Sequence, residues 1–219
     1  MKTGRFSERG SAPFSYQVSG GAPYATHSAK PAAKQPALDA IDNALNNLTS
    51  LPTRLPEQHI ANLQQAHAWI SPSVTEGREI IITALPLYHI FSLTANCLTF
   101  LKIGASNVLI PNPRDIAGFI KELSKHRFTV ITGVNTLFNA LLNNPEFAKL
   151  DFSSLRVALG GGMAVQQAVA EKWKQVTGVA LVEAYGLTET SPAVTINPLD
   201  LKAFNHSIGL PISSTEVSI

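Results

Sequence analysis

Only one cysteine, Cys97, occurs in the 219 residues. An internal disulfide is therefore excluded, and a reducing compartment fits. Cys97 lies in an apolar run and reads as a small buried hydrophobe. Long apolar runs are also scarce. The longest candidate, Ile90 to Ile103, is broken by Ser92, Thr94, Asn96, Thr99 and Lys102, so it falls short of the roughly 18 residues of a membrane span. Charge of one sign is lacking too. Seventeen basic residues face fifteen acidic ones, for a net charge of +2, without the clustered basic face of a nucleic-acid binder. The N-terminus has no apolar signal core, so export is not expected and the cytoplasm is the expected location.

What is present is enough to build a core: 45% of the residues are hydrophobic. Residues 1–36 are the exception. They are rich in Gly, Ser, Pro, Ala and Lys, and such a segment buries too little surface to offset chain entropy, so disorder is expected there. Leu38, Ile41, Leu45 and Leu48 recur at helical spacing and predict a short helix. Leu51 to Gln58, with two prolines, reads as linker. From Glu79 onward strands and helices alternate. Strands are expected at 79–84, 107–110, 128–132, 155–159 and 179–183. Helices are expected at 90–103, 113–126, 135–142 and 165–176. The strands show little polar alternation, as in a sheet covered on both faces. The pattern predicts an α/β fold with a parallel sheet and flanking helices. A last strand, antiparallel, is expected at 215–219.

The most concentrated chemistry is Ala184-Tyr185-Gly186-Leu187-Thr188-Glu189-Thr190-Ser191-Pro192, at the end of a predicted buried strand. Tyr185 offers a flat face for a base. Gly186 allows close backbone approach. Thr188 and Thr190 offer hydroxyls to a phosphate. Glu189 offers a hard oxygen to Mg²⁺, which usually takes one or two carboxylates plus substrate phosphates. Taken alone, these residues also read as a strand-end turn with a capping threonine. Three further unusual turns follow predicted strands: Leu85 to Phe91, Gly133 to Thr136, and Gly160-Gly161-Gly162-Met163. Ligands of open α/β sheets bind at the carboxyl ends of strands, so four such turns on one rim predict a pocket.

Tyr185-Gly-Leu-Thr-Glu-Thr-Ser-Pro192 resembles the adenylate-binding motif of the AMP-forming acyl and aryl CoA ligases. Leu85-Pro-Leu-Tyr-His-Ile-Phe91 resembles that family's aromatic-His motif, and Gly160-Gly161-Gly162 its glycine-rich turn. Thr83 to His89 and Thr132 to Phe138 look most like bacterial long-chain fatty acid CoA ligases. The resemblance runs from about His59 to Ile219 and leaves residues 1–58 unmatched. It implies the middle of the adenylate-forming large domain, with ATP or AMP, Mg²⁺, CoA and a fatty acid as ligands.

By resemblance, Glu183, Ala184 and Tyr185 line the adenine pocket, with Gly186 beside them. Thr188 bonds the α-phosphate and Glu189 holds Mg²⁺. Gly161 and Gly162 lie against the adenylate and the acyl carbonyl. His89 borders the acyl carboxylate in a positioning role and Phe91 lines the acyl pocket. Val134, with Asn135 and Thr136, is a candidate for the acyl channel or equally a helix cap. The helix start at Val165 is expected to favour an anion. The family's phosphate loop, Gly/Ser/Thr-rich and ending in Lys, has no counterpart. Its place holds Leu48 to Gln58, without glycine. A truncation or frame change upstream of about residue 59 is therefore expected, with no acyl-CoA synthesis by this chain alone. A non-catalytic nucleotide- or acyl-binding module working with a partner chain is the alternative. Peripheral contact with the inner membrane is compatible with the family.

Overall fold

The computed structural model describes residues 15–18, 64–65 and 67–218. The helix expected at 38–48 and the linker at 51–58 lie outside them. Eight strands form one sheet: β1 (Ser15–Val18), β2 (Ile80–Thr83), β3 (Ser106–Leu109), β4 (Val130–Gly133), β5 (Val157–Gly160), β6 (Leu181–Gly186), β7 (Ala193–Ile196) and β8 (Leu210–Pro211). Their order is β1-β3-β2-β4-β5-β6-β7-β8. The pairs from β1 through β6 are parallel. β6, β7 and β8 pair antiparallel.

The central strands are apolar on consecutive residues because both faces are covered. Ile82, Ile131 and Ala158 enter one core, while their neighbours Ile81, Val130 and Val157 enter the other. The first core is closed by α2 (Ile116–Leu123), α3 (Asn135–Leu142) and α4 (Gln167–Thr177). Its centre is Trp173, fully buried, with the Phe138 ring centroid 4.8 Å away and that of Phe147 5.4 Å away. α2 starts where Asp115 accepts the Gly118 N–H at 3.0 Å, a side-chain cap. α4 stops at Gly178, whose φ of 77° is left-handed.

The opposite face carries the helix expected at 90–103. It forms, but not as a regular α-helix. Ser92–Leu98 is π-helical and runs into α1 (Thr99–Lys102). The polar residues that interrupt its apolar run explain this. Ser92, Thr94, Asn96 and Thr99 are all buried. Asn96 donates to Thr83 Oγ1 and accepts from Thr132 Oγ1, both at 2.9 Å. Its carbonyl accepts from Asn107 Nδ2 at 3.2 Å. One asparagine thus ties the helix to β2, β3 and β4. A π-turn inside a helix often marks a functional position.

The structure departs from the sequence reading at both ends. Ser15–Val18, expected to be disordered, is a strand whose backbone pairs with β3. At the other end residues 215–218 form no strand; the antiparallel pairing falls to β7 and β8. β8 is two residues long and includes Pro211, so pattern alone gives it almost no signal. Cys97 is half-buried, and burial pushes its thiol pKa up. Among the described residues no helix is long and apolar enough to cross a membrane.

Candidate functional site

β6 delivers the distinctive motif. Leu181, Val182 and Glu183 are buried, and exposure begins at Tyr185. Gly186 is required by the crossing of β7. A Cβ there would sit 1.8 Å from the Pro192 carbonyl oxygen. Beyond it Thr188–Thr190 makes one 3₁₀ turn, closed by Ser191 at φ 57°. The Leu187 N–H donates to Thr190 Oγ1 at 2.9 Å, and Thr190 Oγ1 donates to the Pro192 carbonyl at 2.7 Å. The two threonines of the motif are therefore not equivalent. Thr190 holds the turn together and is not offered to a ligand. The Thr188 side chain and the Glu189 carboxylate are exposed and without a partner among the described residues.

The glycine-rich turn lies alongside. The Gly161 N–H donates to Gly133 O at 3.1 Å. A Cβ on Gly161 would stand 3.1 Å from the Phe91 ring and 3.4 Å from Ala184 O. Gly161 thus touches both the aromatic-His segment and β6. Gly162 takes φ 75°, where glycine is favoured. His89 is exposed, and its Nδ1 accepts the Phe91 N–H at 3.2 Å. In the neutral ring the proton then sits on Nε2, which leaves that nitrogen as an N–H donor.

His89, Phe91, Gly161, Gly162, Ala184, Tyr185, Gly186, Thr188 and Glu189 all line one cavity of about 340 Å³. Four expected residues do not: Glu183, Val134, Asn135 and Thr136. Glu183 is buried, and its Oε1 accepts the Val165 N–H at 2.9 Å. Val134 is half-buried and packs against the first core. Asn135 is a brace: its Oδ1 accepts the Gln166 N–H at 2.9 Å. The N–H groups just before α4 are thus taken by Glu183 and Asn135, so the anion expected at that helix start is supplied from within the fold.

The cavity also extends where sequence reasoning did not place it. It runs along the sheet face under the π-helical segment, over Val130 and Thr132 of β4 and Val157 and Leu159 of β5, with Thr94 and Phe100 opposite. The signal was the two-residue spacing within β4 and β5, which puts these side chains on one face. Among the described residues lining the cavity, Glu189 is the one carboxylate and none is Lys or Arg. No cluster of three or more metal-ligating side chains occurs among the described residues. A single carboxylate beside a free hydroxyl still fits Mg²⁺ held jointly with phosphate oxygens.

The profile of the AMP-binding enzyme family matches residues 55–219. The chain belongs to the AMP-binding enzyme family. Within that family it is 62% identical over 159 residues to the long-chain-fatty-acid–CoA ligase of Yersinia pestis, which covers 73% of this chain and 28% of the relative. The corresponding ligase of Escherichia coli O6:H1 is 59% identical over 160 residues, with the same coverage. The chain thus spans 28% of the length of these relatives. Among solved structures, an anthranilate CoA ligase in complex with anthranoyl-AMP superposes with a TM-score of 0.63 at 24% identity, covering 69% of this chain and 30% of that one. A malonyl-CoA ligase with methylmalonyl-CoA and AMP bound gives 0.59 at 25% identity, covering 69% and 33%. The parallel sheet with flanking helices is therefore the fold of an adenylating CoA ligase.

Proposed function

We propose that this chain carries the acyl- and adenylate-binding centre of a long-chain fatty acid–CoA ligase. The reaction is the two-step one. A fatty acid carboxylate attacks the α-phosphorus of ATP and pyrophosphate leaves. The thiol of CoA then attacks the acyl carbonyl and AMP leaves. The observation that carries this reading is the convergence of the aromatic-His segment, the glycine turn and the Tyr185-to-Glu189 motif on one cavity.

Each group has a task suited to its chemistry. Tyr185, 44% exposed on the cavity rim, stacks against adenine. Gly161 and Gly162 let the backbone approach the adenylate. The Thr188 hydroxyl bonds the α-phosphate. The Nε2–H of His89 orients the acyl carboxylate, and the apolar wall beyond Phe91 takes the chain and excludes water. Glu189 is the residue that would hold Mg²⁺, which supplies charge screening for the phosphates when bound. The work is mostly positioning and charge stabilisation. Its setting is the cytoplasm, with peripheral contact at the inner membrane compatible with an insoluble substrate.

The same cavity argues for binding without turnover by this chain alone. None of its described lining residues offers the positive charge that a reacting triphosphate needs, and Leu48 to Gln58 lacks the glycines of a phosphate loop. The second reading is a nucleotide- or acyl-binding module that works with another chain. Two measurements test the proposal. Calorimetry should show AMP binding that falls roughly tenfold in Thr188→Val, the loss of a charge-assisted hydrogen bond. An ATP- and CoA-dependent thioester assay with palmitate should show no product from the purified chain. Absence of AMP binding would sink the site, and turnover would sink the claim of inactivity.

A further inference from the structure

We infer that the acyl cavity is built to receive a chain bearing an oxygen substituent, such as a hydroxy fatty acid, with the Thr94 hydroxyl as its hydrogen-bond partner. The inference rests on the reading of this cavity as the acyl site. Beyond Thr188 and Thr190 of the motif, three threonines line the cavity, on the π-helical segment, α1 and β4: Thr94, Thr99 and Thr132. Two have committed their protons. Thr99 Oγ1 donates to the Thr94 carbonyl at 2.7 Å, and Thr132 Oγ1 donates to Asn96 Oδ1 at 2.9 Å. Thr94 differs. It is 5% exposed, it lines the cavity, and its hydroxyl has no partner among the described residues.

Its surroundings make that notable. Phe91, Phe100, Val130 and Val157 line the same cavity, and none of these side chains can accept or donate a hydrogen bond. Valine has nearly the same shape as threonine and would leave nothing unpaired. A buried hydroxyl without a partner is costly, and an unsubstituted alkyl chain filling the cavity would leave Thr94 in that condition. An oxygen on the chain relieves it, since a hydroxyl both donates and accepts. Thr94 lies five residues after His89, about one turn on at the start of the π-helical segment. With the carboxylate at His89, the substituent falls in the carboxylate-proximal half of a long chain rather than at the methyl end. Sites that hydrogen-bond a ligand hydroxyl discriminate far better than apolar pockets do.

The test is calorimetric titration of the 219-residue chain with palmitic acid and with hydroxypalmitic acids substituted near the carboxylate, at mid-chain and near the methyl end. In the natural chain the best carboxylate-proximal isomer should bind at least as tightly as palmitate. Thr94→Val should weaken that isomer about fivefold, the worth of one hydrogen bond, and leave palmitate within about twofold. Thr94→Ser keeps the hydroxyl and should keep the preference, which separates loss of the bond from loss of the fold. Equal sensitivity of palmitate and every isomer to Thr94→Val would overturn the inference. If the natural chain binds palmitate with no response to the hydroxyl, the inference fails and the acyl site stands. If it binds no palmitate, both fail.

Discussion

At the scale of single residues, chemistry that looks interchangeable in the sequence is divided by geometry. Thr188 and Thr190 stand two apart with the same side chain, yet Thr190 is consumed by Leu187 and Pro192 while Thr188 has no partner among the described residues. Nothing in residue type separates them. The separation follows from the 3₁₀ turn, which folds position 190 back over the backbone. Glu183 shows the same limit: an acidic residue beside an adenylate motif reads as a ligand contact but is spent on the Val165 N–H. Gly186 was legible as a close-approach glycine, but the approaching group is the chain's own Pro192. Gly186→Ala should therefore cost roughly 2–4 kcal/mol by overpacking. The melting temperature, followed by circular dichroism, should fall by roughly 5–10 °C. AMP affinity should fall with it. A variant that melts like the natural chain would place β7 elsewhere.

At the scale of elements, periodicity located the strands and helices well where burial was two-sided. The helix over 135–142 forms on those residues, and the strands predicted around 81, 108, 130, 157 and 182 all form. The π-helical turn was not legible. Its cause is tertiary, since Asn96 finds acceptors and donors on three strands that sequence spacing does not bring together. The C-terminal end of α2 shows element-level electrostatics. Burial alone would push Glu122 up, but hydrogen bonds and charge from Lys125 at 2.6 Å and His126 at 2.9 Å hold its pKa below the usual glutamate range. A lowered carboxylate pKa contributes stability above the unfolded value, and that stability is lost as pH falls through the folded one. In urea titrations the natural chain should be more stable than Glu122→Gln at pH 6. The gap should close as pH falls below about 4.3. A gap independent of pH would mean that Glu122 acts by packing.

At the scale of the whole sheet, the rim that gathers the motifs was legible, because parallel strands put all their carboxyl ends on one side. What was not legible was the change of direction. Ala193–Ile196 and Leu210–Pro211 are short and weakly patterned, so their antiparallel addition depends on partners and not on propensity. It follows that β6 carries parallel pairing on one edge and antiparallel pairing on the other, and the register slips between Tyr185 and Gly186 on the antiparallel edge. Any tilt of the β7–β8 ribbon against the parallel strands has to be absorbed at that slip. A nucleotide seated on Tyr185 and Thr188 would act as a splint across the joint. AMP should then slow amide hydrogen exchange through residues 184–197 more than through β2 and β3, and uniform slowing would show that the ribbon and the parallel strands already move as one plate.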